Sequence, residues 1–266
     1  MNWFKTGKRW KLPLLAILLA VIFFGFVKLI EEESLEVVIP QAGRETIATG
    51  SQMAEILKEL AGPTAPTTDW TKKIAVVLAV PFTPQAPKAE WSDPRQEAAC
   101  EEASVLMAMK WVKGETLTTD EALTDILAMA DWESKTYGSF VNTNAPDTVS
   151  RLFKGYFKYD KATAVKLIGS QQIIDELLKG NLVLMPANGR KLGNPYYKQP
   201  GPLTHMLVIR GYDKGTDEFI TNDPGTKRGE KYRYPTAKVI EAAWNYPTGD
   251  NEPVETSDKS IIIVSH

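Results

Sequence analysis

Residues 12–27 form an uncharged apolar run of sixteen residues, and no other feature limits the arrangement of this chain as strongly. A run this apolar cannot lie on the surface of a water-soluble body. Continued through residue 30 as a helix, nineteen residues reach about 28 Å, close to the ~30 Å hydrocarbon thickness of a bilayer. Trp3, Phe4 and Trp10 lie near one end, where aromatic rings favour the headgroup region, and Lys28 near the other can snorkel. Lys5, Lys8, Arg9 and Lys11 precede the run and Glu31, Glu32 and Glu33 follow it. That polarity predicts a cytoplasmic N-terminus and an extracytoplasmic remainder. A secretory signal peptide shares the basic start, but KLIEEESLEVV after the run has no small-x-small cleavage pair. The run is therefore read as a retained single-pass anchor in the cell membrane.

The charge balance of the rest excludes one large class of partner. Five of the 31 basic residues fall within residues 1–30, which hold no acid, so the remaining 26 stand against all 33 acidic residues. A body with that excess of negative charge repels phosphate backbones, and nucleic-acid binding is not expected. With 43% hydrophobic and 24% charged residues, the chain has the ordinary composition of one that builds a core.

Three regions follow: 1–30, the basic flank and membrane helix; 31–72, an extracytoplasmic spacer with a short helix at 52–60 before the Pro/Thr-rich AGPTAPTTD; and 73–266, a folded domain. Within the domain, KIAVVLAV reads as a strand. A helix is predicted over 98–112, with Ala99, Ala103, Leu106, Met107 and Trp111 on its apolar face and Gly114 as its stop. A second helix, EALTDILAMADW, has Thr119 as its expected cap. Two more are predicted at 146–157 and at 171–179, the latter capped by Ser170. The later chain is strand-rich (NLVLMPA, THMLVIRGY, EFITND, KYRY, SIIIV), with TAKVIEAAWNY as a helix among the strands. Helices gathered before strands predict an α+β domain, N-terminal helices packed on a C-terminal antiparallel sheet, in addition to the membrane helix.

Few residues could carry chemistry. Cys100 is the single cysteine, so no intrachain disulfide and no multi-cysteine metal site can form. It opens the predicted 98–112 helix, where unpaired N–H groups and the helix dipole favour a thiolate and lower a thiol pKa. A thiol nucleophile needs an imidazole, and there are two histidines. His266 stands at the end of the sequence, whereas His205 opens a strand. Asp223 closes the strand after the one His205 begins, and antiparallel pairing would set it beside His205 as the group orienting the ring. Asn222 is the alternative, although strand alternation points it to the other face. Gln85 in VPFTPQAP, with Gln96 as its rival, could join the Cys100 N–H in stabilising an oxyanion. Such chemistry needs neither metal nor cofactor. Glu101–Glu102 reads as helix-start stabilisation and a solvated face.

VPFTPQ, then CEEAS opening a helix, then HMLVIRGYD, then a strand closing on NDPG resembles the papain-like cysteine peptidases of the bacteriocin-processing (double-glycine leader peptidase) type, in particular their stand-alone relatives. The resemblance covers roughly residues 75–265. It implies a papain-like fold, Cys100 as nucleophile, His205 as general base and acid, Asp223 as orienting residue and Gln85 as oxyanion donor, acting on a peptide or protein substrate. Two positions depart from the leader-peptidase pattern: Glu101 replaces a glycine, and fifteen positions separate Gln85 from Cys100. A papain-like binding or scaffold module without activity, and an amidase or transpeptidase acting on cell-wall peptides, are the other functions compatible with these residues.

Overall fold

The computed structural model describes residues 36–39, 75–249 and 258–266. The predicted anchor and the predicted helix at 52–60 lie outside them. Among the described residues, no helix is long and apolar enough to cross a membrane.

The elements run in the order β1 (Glu36–Ile39), β2 (Ala75–Leu78), α1 (Pro94–Glu97), α2 (Cys100–Lys113), α3 (Thr119–Tyr137) and α4 (Ala145–Thr148). A π-helical stretch, Val149–Tyr156, continues α4. Then come β3 (Ala162–Lys166), α5 (Ser170–Leu178), β4 (Leu182–Ala187), α6 (Gly189–Leu192), β5 (His205–Asp213), β6 (Glu218–Asn222), β7 (Tyr232–Pro235), α7 (Thr236–Ala242) and β8 (Ser260–Val264). The class is α+β, with most helices ahead of a largely antiparallel sheet, as the order of apolar patterns predicts.

The sheet runs β1-β2-β5-β4-β8-β3, with β6 on the remaining edge of β5 and β7 beyond it. Strand β5 organises this arrangement. One of its edges meets β4 from His205 to Ile209 and then β2 from Gly211 to Asp213, while β6 lines the other edge. The handover falls at a register shift between Ile209 and Gly211. Arg210, inside that shift, donates from Nε (2.9 Å) and Nη2 (2.6 Å) to the Leu78 carbonyl, which secures β2 to the sheet. At Gly211 the backbone of Val76 passes so close that a Cβ would lie 2.5 Å from its carbonyl oxygen.

Several local expectations change. Four residues of the segment read as spacer form β1, which pairs with β2 in parallel rather than antiparallel. Strand β3, not expected at all, pairs with β8 at the other edge. Thr118, not Thr119, caps α3, because only Thr118 has a glutamate three positions on: its hydroxyl accepts the Glu121 N–H, and the Glu121 carboxylate takes the Thr118 N–H. Gly169 rather than Ser170 precedes α5, without a side-chain cap bond. The helix expected over 146–157 is instead α4 and its π continuation.

Helix α2 departs most from expectation in its surroundings. The five residues of its predicted apolar face are all buried, but so are Glu101, Glu102, Ser104, Val105, Ala108 and Met109. It packs against β4 and β5 on one side and against α3 and the π-helical stretch on others. A helix enclosed in this way is buried around most of its circumference. The pair Glu101–Glu102 therefore does not form a solvated face; it lies in the interior.

Candidate active site

Residues that the sequence separates widely meet where α2 and β5 both begin. Strand β5 runs out from His205, the turn after Asp213 reverses the chain, and β6 returns antiparallel to Asn222. The next residue, Asp223, thus arrives beside the start of β5. The His205 imidazole and Asp223 Oδ1 are 2.8 Å apart through Nε2, both side chains being almost fully buried. Asn222 faces elsewhere, as alternation predicts: its amide donates to the Val80 and Pro81 carbonyls and its oxygen accepts from Arg210.

Asp223 is held by more than the imidazole. The Gly225 N–H also donates to Oδ1 (3.0 Å). Oδ2 accepts from the Tyr197 hydroxyl (2.5 Å), the Tyr234 hydroxyl (2.6 Å) and the Asn194 amide (3.3 Å). Burial alone would push this carboxyl upward, but the His205 charge and the hydrogen bonds from His205, Tyr197 and Tyr234 outweigh it and hold the pKa below the ordinary carboxylate value. Burial and the Asp223 charge push the Tyr197 and Tyr234 hydroxyls upward, so both remain donors at any working pH. An ionised carboxylate can only accept, so Nε2 of His205 must carry a hydrogen. In the neutral ring, Nδ1 is then the basic nitrogen. Tyr197 also sets its ring edge-on against the imidazole, with centroids 5.4 Å apart. Gly225 leaves room for both rings, since a Cβ there would lie 2.9 Å from one and 3.0 Å from the other.

Cys100 is the first residue of α2, and its Sγ donates to Glu101 Oε2 at 2.9 Å. One turn further along α2, the Ser104 hydroxyl donates to the carbonyl of Met206, the residue after His205 (3.3 Å). The first turn of α2 thus packs against the same strand end that carries the imidazole. The protonation of the thiol departs from expectation. Burial, and then the charge and hydrogen bond of Glu101, push the thiol well above its ordinary value, so the helix start does not lower it. The second histidine is far away: His266 packs on Trp111, with ring centroids 4.1 Å apart. Trp111 lies eleven residues along α2 from Cys100, about 16 Å at 1.5 Å per residue.

Gln85 ties three segments together. Its N–H donates to the Pro224 carbonyl (2.9 Å), and its side-chain amide donates to the carbonyls of Gln96 (3.1 Å) and Glu97 (2.5 Å), just ahead of Cys100. Gln96 turns away, its amide donating to Glu90 at 3.3 Å. Glu101, buried behind the sulfur, accepts on Oε1 from the Tyr246 hydroxyl (2.6 Å) and the Thr143 N–H (3.1 Å). Sequence reasoning missed Tyr197, Tyr234, Asn194 and the burial of Glu101. No spacing marks the first three, and a helix buried on several faces hides the last.

Below this lies an acidic pair. Glu102 of α2 and Glu133 of α3 are fully buried and face each other, and no donor from any other described residue reaches their carboxyl oxygens. Burial, followed by the mutual repulsion of Glu101, Glu102 and Glu133, pushes both upward, Glu133 to about 8. A carboxyl raised on folding stabilises the fold fully when protonated in both states, and that contribution is lost as pH rises from its unfolded value, ~4.3, through its folded value. Glu133→Gln should therefore melt several degrees above wild type at pH 9 and within a degree or two of it at pH 4.5, by thermal denaturation at both pH values. Equal melting temperatures at pH 9 would show that the pair carries no such strain.

A family model described as the Peptidase_C39 like family matches residues 77–250, which include Gln85, Cys100, His205 and Asp223. The chain belongs to that family. Among solved structures, one described as a C39-like peptidase from Bacillus anthracis is 16% identical, with a TM-score of 0.45 over 72% of this chain and 98% of its own. No curated protein matches the chain. The bacteriocin-processing branch named by the sequence resemblance is narrower than this family.

Proposed function

We propose that this member of the C39-like family is a cysteine peptidase that cleaves peptide bonds outside the cytoplasm, tethered by residues 12–30. The tether and its orientation rest on the apolar run and its flanking charges. The observation that carries the chemistry is the buried His205–Asp223 hydrogen bond, made through Nε2, at a strand end against which the first turn of the Cys100 helix packs.

In this reading Nδ1 of His205 takes the thiol proton, and the sulfur attacks the substrate carbonyl carbon. The N–H of Cys100 is one of those that a helix start leaves without an intrahelical acceptor, and it faces the developing oxyanion. Gln85 supplies the second donor if one amide hydrogen exchanges a backbone carbonyl for the oxyanion. The imidazolium gives its proton to the leaving amine, which departs and leaves a thioester. Water then loses a proton to His205 as its oxygen attacks the thioester carbon. The sulfur leaves and regains the proton, and the acid product is released.

The test uses a mixed peptide library and a peptidyl electrophile. Wild type should release new N-termini and be labelled on Cys100, with labelling at least about a hundredfold slower in His205→Ala. Equal labelling in both proteins, with no peptide cleaved, would defeat the proposal.

A further inference from the structure

Glu101 is an unusual neighbour for a nucleophile. An almost fully buried carboxylate is costly, and beside a thiol it opposes formation of the thiolate. Yet it is built in with care. Oε1 is fixed by the Tyr246 hydroxyl and the Thr143 N–H, which leaves Oε2 aimed at the Cys100 sulfur. The loop carrying Thr143 is fastened in turn: Asn142 accepts from the Thr204 hydroxyl (2.8 Å), next to His205, and its carbonyl accepts the Gly249 N–H (2.9 Å). Glu101 is thus held by the walls of the site, independently of the thiol.

We propose that Glu101 is a positioning residue that keeps Cys100 as a neutral thiol in the resting protein, and that the sulfur exchanges the Glu101 carboxylate for the His205 imidazole when a substrate is bound. This rests on the reading of Cys100 as nucleophile. The exchange carries the sulfur from Glu101 toward the start of β5, against which the first turn of α2 is held by the hydrogen bond from the Ser104 hydroxyl to the Met206 carbonyl (3.3 Å). The thiol proton, donated to Glu101 at rest, then passes to Nδ1. A neutral thiol reacts poorly with oxidants and small electrophiles, so the resting site is protected and the nucleophile is made on demand. The ionisable groups set against Glu101 are Cys100 and Glu102 on its own helix, Glu133 from α3 and Tyr246 after α7; burial pushes the Glu101 carboxyl upward, and the hydrogen bonds from Cys100, Tyr246 and Thr143 oppose that rise.

The single cysteine makes the test direct, because the full chain can show only one S–H stretching band in the infrared. At neutral pH, wild type should show that band, shifted below the frequency of a free thiol. Glu101→Gln keeps an acceptor for Tyr246 and Thr143 but turns an amide donor toward the sulfur. In that variant the downshift should vanish, and alkylation by iodoacetamide at pH 7 should quicken about tenfold or more, its pH profile moving about one unit lower. Absence of the band in folded wild type overturns the proposal, as does an unchanged alkylation profile in folded Glu101→Gln. Should that variant not fold, the wild-type band alone decides. A protein that cleaves peptides through Cys100 yet shows no S–H band defeats only this proposal. One that shows the shifted band and cleaves nothing defeats the peptidase reading, and the substrate-triggered exchange falls with it.

Discussion

Asp223→Asn should lower kcat/KM for peptide cleavage by about three to four orders of magnitude while the protein remains folded. Two consequences of the same substitution act together. The imidazolium formed as the thiol loses its proton no longer faces a carboxylate, and an amide can present its NH2 to Nε2, which forces the hydrogen onto Nδ1, where a lone pair is needed. The fold survives because, with the NH2 turned to Nε2, the amide oxygen still accepts from the Tyr197 and Tyr234 hydroxyls that now donate to the carboxylate. Stability should respond to pH with a definite sign. The native carboxyl sits below its ordinary value, so its contribution is present above the unfolded pKa of about 3.9 and is lost as pH falls through the folded value. Wild type should therefore lose more stability than Asp223→Asn between pH 5 and pH 2. Steady-state kinetics and thermal melts measure both halves, and activity within tenfold of wild type would remove Asp223 from the mechanism.

Gly229→Ala should cost at least about 3 kcal/mol and abolish activity, although residue 229 touches no reacting group. A Cβ there would lie 1.8 Å from the Asp223 carbonyl oxygen and 2.7 Å from its carbonyl carbon. Those are backbone atoms, so no side chain can move aside. The loop must open, and it cannot open freely: the Asp223 N–H donates to the Gly229 carbonyl (3.0 Å), and the Gly229 N–H to the Thr226 carbonyl (3.1 Å). Displacing Asp223 strands the donors gathered on its carboxylate. Gly225→Ala is the informative contrast, because its Cβ would press on the rings of Tyr197 and His205 rather than on backbone. It should retain most of the melting temperature and lose catalysis. A Gly229→Ala protein that melts with wild type would contradict the packing described for this turn.

What the sequence discloses and what it hides divide along physical lines. The meeting of His205 with Asp223 is legible because two strands joined by a turn carry their distant ends to one place, whatever the rest of the domain does. Helix α2 is legible for its periodicity and its terminating glycine. Its environment is not: alanine, serine and methionine on the remaining faces tolerate burial as well as exposure, so Glu101 and Glu102 read as surface charges until other elements close around them. Strands β1 and β3 are defined only by their pairing with β2 and β8. The thiol shows the same limit. A helix start argues for a lowered pKa, but burial and a neighbouring carboxylate dominate, and both are tertiary facts.

The place of β8 in the sheet bears on how the protein acquires its shape during synthesis. That strand lies between β4 and β3, about a hundred residues after the partner it gives β3. Until it emerges, the Leu182–Leu184 stretch of β4 has no partner on the flank opposite β5, and β3 has no neighbour among the described strands. Long-range closures of this kind are slow, and an unpaired edge invites pairing with another chain. Chains interrupted before residue 258 should therefore aggregate rather than accumulate as a smaller folded product, and the nascent protein passes through its most vulnerable stage just before translation of the last strand.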